Sequence, residues 1–200
     1  MNNELTEIWM ILDRSGSMDA IHSGTVEAVN AFVTDQQTEA GQVCFTLRQF
    51  DNEVDTVYDR LPLEKVPMMK LNDFQPRGMT ALHDAVGSAI QDLGRLLEQT
   101  PEAERPGSVI FTILTDGHEN ASTSFSGKQI ADMIDHQKRK YDWEFVFLGA
   151  NVDVDKVAGD LNIESEDRIS FSSTNSSVRE SMVYASTQVK YKRARKRAGR

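Results

Sequence analysis

Runs of consecutive apolar residues alternate along the chain with segments whose apolar residues recur every three or four positions. Continuous runs are typical of strands buried on both faces of a sheet, and they lie at Ile8–Leu12, Val109–Leu114 and Phe145–Leu148. Further strands are predicted at Gln42–Phe50 and Ile169–Phe171. The periodic segments predict helices, which lie around Val26–Val33, Leu82–Leu97, Ile130–Ile134 and Val178–Val189. This alternation predicts an α/β fold with a doubly wound, mostly parallel sheet and helices on both faces.

One connection breaks the alternation. Gln42–Phe50 is followed at once by Asp51-Asn52 and then by Val54–Leu63, which leaves no room for a crossover helix. Asp and Asn tolerate the left-handed conformations of a tight hairpin, so the second segment is predicted to be an antiparallel strand. Its Pro62 suits an edge position. The acids on and after the hairpin are interpreted as a solvated edge, and they are Asp51, Glu53, Asp55 and Asp59.

Composition is that of an ordinary globular protein, with 39% hydrophobic and 26% charged residues among 200. We expect one domain over residues 1–189 and a basic C-terminal tail over 190–200. Cys44 is the only cysteine, which excludes an intrachain disulfide and a Cys-rich metal site. No apolar run approaches the roughly 20 residues of a membrane helix, and Met1–Glu4 does not resemble a signal peptide. We therefore expect a cytoplasmic protein that does not contact a membrane.

The charge is divided unevenly between the body and the tail. Seven of the 22 basic residues lie in 190–200, so residues 1–189 carry 15 basic against 31 acidic side chains. Such an acidic body is unsuited to direct nucleic-acid binding. The tail is expected to be a solvated, frayed helix end, although it leaves open a contact with nucleic acid.

Polar residues follow two of the predicted strands directly. Asp13-Arg-Ser15-Gly-Ser17 follows the first strand, and Thr115-Asp116-Gly117 follows Val109–Leu114. Ligands of doubly wound sheets bind beyond the carboxyl ends of strands where the strand order reverses, so these loops would face each other if their strands are neighbours. A third loop, residues 76–85, turns at Gly78 and presents Thr80 just ahead of a helix. The three loops together would present Asp13, Ser15, Ser17, Thr80 and Asp116.

This set of five residues resembles the metal-ion-dependent adhesion site of von Willebrand factor A (vWA) domains, whose fold is a doubly wound sheet with one antiparallel edge strand. The resemblance covers roughly residues 6 to 190. The chain looks most similar to small bacterial and phage vWA proteins, because it shares their Asp-Arg-Ser-Gly-Ser-Met loop and a segment like Phe147–Asn151. It implies that Ser15, Ser17 and Thr80 supply direct or near-direct oxygen ligands. Asp13 and Asp116 would act through water or by hydrogen-bonding those hydroxyls.

The donor chemistry agrees with such a site. Mg²⁺ prefers six oxygen ligands and retains several waters, and two carboxylates with three neutral hydroxyls leave it under-neutralised. Mn²⁺ or Ca²⁺ could take its place. The family uses the open coordination position for an Asp or Glu of a partner protein, so the leading hypothesis is a metal-dependent protein–protein interaction module.

Other interpretations of the same residues are weaker. Asp13 could be a phosphotransfer nucleophile, but haloacid-dehalogenase-type phosphatases have a second Asp where this chain has Ser15. Ser15 as a hydrolase nucleophile would need a positioned base, for which the candidates are His22, His83 and His118. These histidines are interpreted as solvated, or alternatively as lining the ligand face or admitting a softer metal. Asp84 is interpreted as support for a helix start.

We therefore expect no catalysis. Two alternative functions stay open: an accessory factor in a nucleic-acid or phage process recruited through residues 190–200, and a Mg²⁺-dependent phosphohydrolase.

Overall fold

The computed structural model describes residues 1–199 and contains one six-stranded sheet. Its strands are β1 (Asn2–Asp13), β2 (Gln42–Phe50), β3 (Val54–Pro62), β4 (Pro106–Thr115), β5 (Glu144–Gly149) and β6 (Arg168–Ser170). They are arranged in the order β3-β2-β1-β4-β5-β6. β3 pairs antiparallel to β2 at one edge, whereas all other pairs are parallel. The predicted fold class and its antiparallel edge strand are confirmed.

Five helices cover the two faces of the sheet. They are α1 (His22–Gln36), α2 (Leu82–Gln99), α3 (Gly127–Tyr141), α4 (Val154–Asp160) and α5 (Asn175–Arg197). Because side chains alternate along a strand, Met10 of β1 packs in the core beneath α1 and α5, while Trp9 and Ile11 pack beneath α2, α3 and α4. No helix within residues 1–199 combines the length and the apolar character that a membrane crossing would require.

The strand order reverses between β1 and β4. From β1 the chain proceeds to β2 and β3 on one side, and it then returns to place β4 and β5 on the other. The two strands are in parallel register, with Leu12 opposite Leu114. Their carboxyl ends therefore lie side by side, as the sequence predicted, and the two polar loops begin from the same edge.

The C-terminal basic segment differs from the prediction. Residues 190–197 continue α5, so the boundary expected after residue 189 falls inside a helix. The side chains of Lys192 and Arg193 are buried. The expectation of a solvated, frayed end is therefore wrong for the described part of this segment, while Arg200 lies outside the described residues. The physical reason is that acids from distant parts of the chain pair with these cations and carbonyl groups accept hydrogen bonds from them.

Each basic residue between 190 and 199 has such a partner. The pairs are Lys190 with Asp35, Lys192 with Glu144 and Asp167, Arg193 with the carbonyl of Gln36, Arg195 with Glu144, Lys196 with Asp142, and Arg197 with Glu39.

Candidate metal site

Asp13 ends β1 and is fully buried. One carboxylate oxygen accepts a hydrogen bond from the Ser15 N–H at 2.6 Å, and the other accepts one from the Thr115 hydroxyl at 2.6 Å. Burial raises the pKa of Asp13 to about 6, because desolvation outweighs these hydrogen bonds. Asp13 thus holds both its own loop and the end of β4.

Three hydroxyl groups converge beside Gly117. The oxygens of Ser15 and Ser17 are 3.1 Å apart. A Cβ atom placed on Gly117 would lie 3.0 Å from the Thr80 hydroxyl oxygen, 3.3 Å from that of Ser17 and 3.6 Å from that of Ser15. The three oxygens therefore border one small volume, and the missing side chain at residue 117 keeps it open.

Asp116 brings the second carboxylate to the same place. Its Oδ1 accepts a 2.5 Å hydrogen bond from the Ser17 hydroxyl. Its Oδ2 is buried and has no hydrogen-bond partner within residues 1–199. Burial raises the pKa of this carboxyl group. A buried carboxylate oxygen without a donor is costly, and a cation beside it would remove that cost.

The loop that carries Thr80 lies between the other two loops. Gly78 has a φ of +69°, a conformation that favours glycine, and its carbonyl accepts a hydrogen bond from the Gly16 N–H at 3.3 Å. On the other side, the Thr80 N–H donates to the side chain of Asn120 at 2.9 Å, and the Asn120 N–H donates to the Thr80 carbonyl at 3.0 Å. The structure therefore brings together all five residues that the sequence singled out.

The environment of Asp51 differs from the prediction. It was interpreted as part of a solvated edge, but it is 1% exposed and its carboxylate accepts hydrogen bonds from Arg14 and Arg77. Burial alone would raise the pKa of Asp51, whereas the hydrogen bonds from Arg77, from the Glu53 N–H and from Arg14 outweigh it and lower the pKa. The sequence contained one indication of this role, because Asp51 directly follows β2, the strand next to β1.

The neighbouring histidines and Asp84 have other contacts. His22 Nε2 lies 3.0 Å from the carbonyl oxygen of Leu71, and His83 Nδ1 lies 3.7 Å from a carboxylate oxygen of Glu119. His118 is exposed. The carboxylate of Asp84 accepts hydrogen bonds from three consecutive backbone N–H groups, those of residues 123–125. Asp84 thus orders the loop before α3.

The donor set fits a hard divalent cation. Residues 1–199 contain no cluster of three or more His, Cys, Asp or Glu residues that could hold a metal, so hydroxyl groups must complete any shell at this edge. Hydroxyl and carboxylate oxygens suit Mg²⁺, Mn²⁺ and Ca²⁺ better than softer ions. The partnerless oxygen of Asp116 and the open volume beside Gly117 are the two structural features that fit such an ion.

Comparisons with solved structures identify the fold. Proximal thread matrix protein 1 (PTMP1) from the mussel byssus superposes with a TM-score of 0.62 at 17% identity, over 92% of this chain and 46% of that one. The vWF domain of the type V pili tip protein Mfa5 from Porphyromonas gingivalis gives 0.62 at 11% identity, over 93% and 95% of the two chains. A von Willebrand factor type A protein from Catenulispora acidiphila gives 0.56 at 18% identity, over 90% and 41%. This chain has the vWA fold.

Two of the matched structures differ from this chain in length. This chain spans less than half the length of PTMP1 and of the Catenulispora protein. No protein-family model matches the sequence, and neither does any curated protein. One PTMP1 structure is described as having a zinc-occupied MIDAS motif, the abbreviation for the metal-ion-dependent adhesion site. With sequence identities of 11–18%, these structural similarities establish the fold of this chain.

Proposed function

We propose that this vWA domain is a metal-dependent protein-interaction module. The ligands would be Asp13, Ser15, Ser17, Thr80 and Asp116, and a carboxylate from a partner protein would complete the shell of the ion. The observation that carries the proposal is the buried, partnerless Oδ2 of Asp116 beside three converging hydroxyl groups. The zinc-occupied motif of PTMP1 supports a divalent ion at this position of the fold.

Mg²⁺ is the ion we propose, with Mn²⁺ or Ca²⁺ as substitutes. When bound, it would supply a concentrated positive charge at an otherwise acidic surface. The three hydroxyls contribute dipoles without charge, so an incoming anionic oxygen gains more at the ion than another water molecule would. Long-range repulsion between an acidic partner and this acidic domain is screened beyond about 8 Å at physiological ionic strength.

We propose binding rather than catalysis at this site. General-base activation of Ser15 would require a base within hydrogen-bond reach. The Ser15 hydroxyl lies 3.1 Å from the Ser17 hydroxyl, whereas the hydrogen bond to Asp13 comes from the Ser15 backbone N–H. His22 and His83 are engaged with Leu71 and Glu119 instead.

Recruitment by nucleic acid through residues 190–200 is a weaker proposal. The described cations of this segment are paired with acids or carbonyl groups of the domain itself. Binding phosphates would require breaking those pairs.

We also propose a cytoplasmic location. With a single cysteine the chain has no intrachain disulfide of the kind that forms in oxidising compartments.

The test is affinity capture of a partner in Mg²⁺ or in chelator, with the wild type, Asp13→Ala and Thr80→Ala as baits. We expect the partner to be lost with chelator and with Asp13→Ala, and to be weakened by Thr80→Ala. One acidic residue of the identified partner should then be irreplaceable by its amide. A complex that survives both chelation and the Thr80 change would show that binding lies elsewhere on the domain.

A further inference from the structure

Asp51 connects two of the loops that supply the proposed ligands. Its Oδ2 accepts hydrogen bonds from Arg14 Nε at 3.2 Å and from Arg77 Nε at 2.8 Å. Its main-chain carbonyl accepts a hydrogen bond from the Ala81 N–H at 2.8 Å. Arg14 is adjacent to Asp13, and Ala81 is adjacent to Thr80. One buried residue therefore contacts the first loop and both sides of the loop that carries Thr80.

We propose that Asp51 is a positioning residue for the metal site, and this inference rests on the proposed function. Asp51 would not contact the ion. It would hold residues 76–81 in register against residues 13–17 and so set the position of the Thr80 hydroxyl. The same two loops are joined directly by the hydrogen bond from the Arg77 N–H to the Arg14 carbonyl, at 2.7 Å. Gly78 packs on the hairpin tip, where an added Cβ would clash with the side-chain oxygen of Asn52.

Charge gives Asp51 a second effect on the site. The Arg14 side chain is 9% exposed and directly follows a proposed ligand residue. An uncompensated guanidinium in this place would repel a divalent cation, most strongly where solvent is excluded. Asp51 neutralises it from one side, and Asp55 neutralises it from the other through a 2.7 Å contact with Nη1. Removing the charge of Asp51 would therefore both loosen the Thr80 loop and expose the ion to Arg14.

The test is a double-mutant cycle on metal affinity, with MgCl₂ and MnCl₂ as the titrants in calorimetry. We expect Asp51→Asn to weaken binding by at least about tenfold, the lower end of the cost of removing groups that orient metal ligands. The part of this cost that passes through Thr80 should vanish in a Thr80→Ala background, where only the effect on Arg14 remains, so the substitution should cost less there. Asp59→Asn is the matched control and should leave affinity unchanged, because Asp59 is an exposed acid on β3, the strand that follows the hairpin turn of Asp51. Wild-type affinity in Asp51→Asn, or full additivity in the cycle, overturns the proposal.

Amide hydrogen exchange in the metal-free protein gives a second readout. The N–H groups of Arg77, Thr80 and Ala81 should exchange faster in Asp51→Asn, while core amides such as that of Ile113 keep their wild-type protection. Uniform acceleration across the sheet would indicate a role in global stability alone and would overturn the positioning role. A wild type that binds neither ion would refute the proposed function, and these exchange rates would then decide the inference about Asp51.

Discussion

The hydroxyl of Thr115 donates a 2.6 Å hydrogen bond to the carboxylate of Asp13. The two residues end neighbouring parallel strands. The same hydroxyl accepts a hydrogen bond from the Gly117 N–H at 3.2 Å. The buried acid at the end of β1 thereby fixes the start of the loop that carries Asp116 and Gly117. The two halves of the site are joined through protein groups alone, so this part of the site needs little rearrangement to receive an ion.

Gly117→Ala should weaken metal binding with little effect on stability. The added Cβ would lie within 3.0–3.6 Å of the three converging hydroxyl oxygens and would crowd the volume that they border. We expect the dissociation constant for Mg²⁺ to rise by at least about tenfold, measured by calorimetry, with a melting temperature near that of the wild type. Gly94→Ala is the control, because a Cβ at residue 94 meets nothing within 4 Å. Undiminished affinity in Gly117→Ala would show that the ion does not use these hydroxyls.

The pH dependence of stability should report the buried Asp13. Burial raises its pKa from an ordinary 3.8 to about 6 in the metal-free protein, so the folded state holds the proton more tightly than the unfolded chain does. The resulting stabilisation is fully present below pH 3.8 and is lost as the pH rises through 6. Relative to Asp13→Asn, wild-type stability should fall over this range by an amount on the order of 3 kcal/mol.

Urea unfolding of both proteins in chelator, at several pH values, measures this difference. A difference that does not vary with pH would show that Asp13 is not titrating in this range. Added Mg²⁺ competes with the same proton. Its apparent affinity for the wild type should therefore decrease as the pH is lowered through 6.

The five proposed ligands could be found from the sequence because each lies at a strand end or a helix start that hydrophobic pattern alone locates. Asp13 and Asp116 directly follow apolar runs, and the hairpin at Asp51-Asn52 left only one place for the antiparallel strand. Helix starts were harder to predict. The last helix was predicted around Val178–Val189, whereas α5 begins at Asn175, with Thr174 as its N-cap.

The roles of Asp51 and of the C-terminal cations depend on contacts between residues far apart in the chain. Asp51 pairs with arginines 37 and 26 residues away, and Lys192 pairs with Asp167 at a separation of 25. A local sequence pattern shows only an acidic hairpin and a basic terminus, each of which would ordinarily be solvated. Lys192 is buried because α5 packs against the sheet, and Asp51 is buried because the loops of the site pack against the hairpin. Local patterning carries no information on that packing.

Asp116→Asn should change stability and ion binding in opposite directions. Burial raises the pKa of this carboxyl group, so its ionised form is destabilising in the metal-free protein at neutral pH. The amide removes that cost, and we expect the melting temperature in chelator to equal or exceed that of the wild type. Mg²⁺ should raise the melting temperature of the wild type only, since a ligand of the folded state stabilises it by mass action. A variant that loses stability in chelator would contradict this account of Asp116.

The buried pairs of Lys192 make the C-terminal helix part of the stable domain. Its ammonium group lies 2.9 Å from a carboxylate oxygen of Glu144 and 2.9 Å from one of Asp167, and all three side chains are less than 10% exposed. Lys192→Met keeps most of the side-chain volume but leaves two buried carboxylates without their common cation. Breaking a buried pair in this way costs about 3–5 kcal/mol.

Chemical denaturation of Lys192→Met should show a loss of that order. Lys128→Met is the matched control, since Lys128 is 82% exposed and forms an i,i+4 pair with Asp132. It should cost less than about 0.5 kcal/mol. Deleting residues 191–200 should lower the melting temperature by many degrees. It removes Lys192 and Arg195, which pair with the carboxylates of Glu144 and Asp167, and it removes the buried Arg193. A truncated protein as stable as the wild type would mean that the helix detaches after Val189 in solution, and it would return the basic segment to the surface as a free binding element.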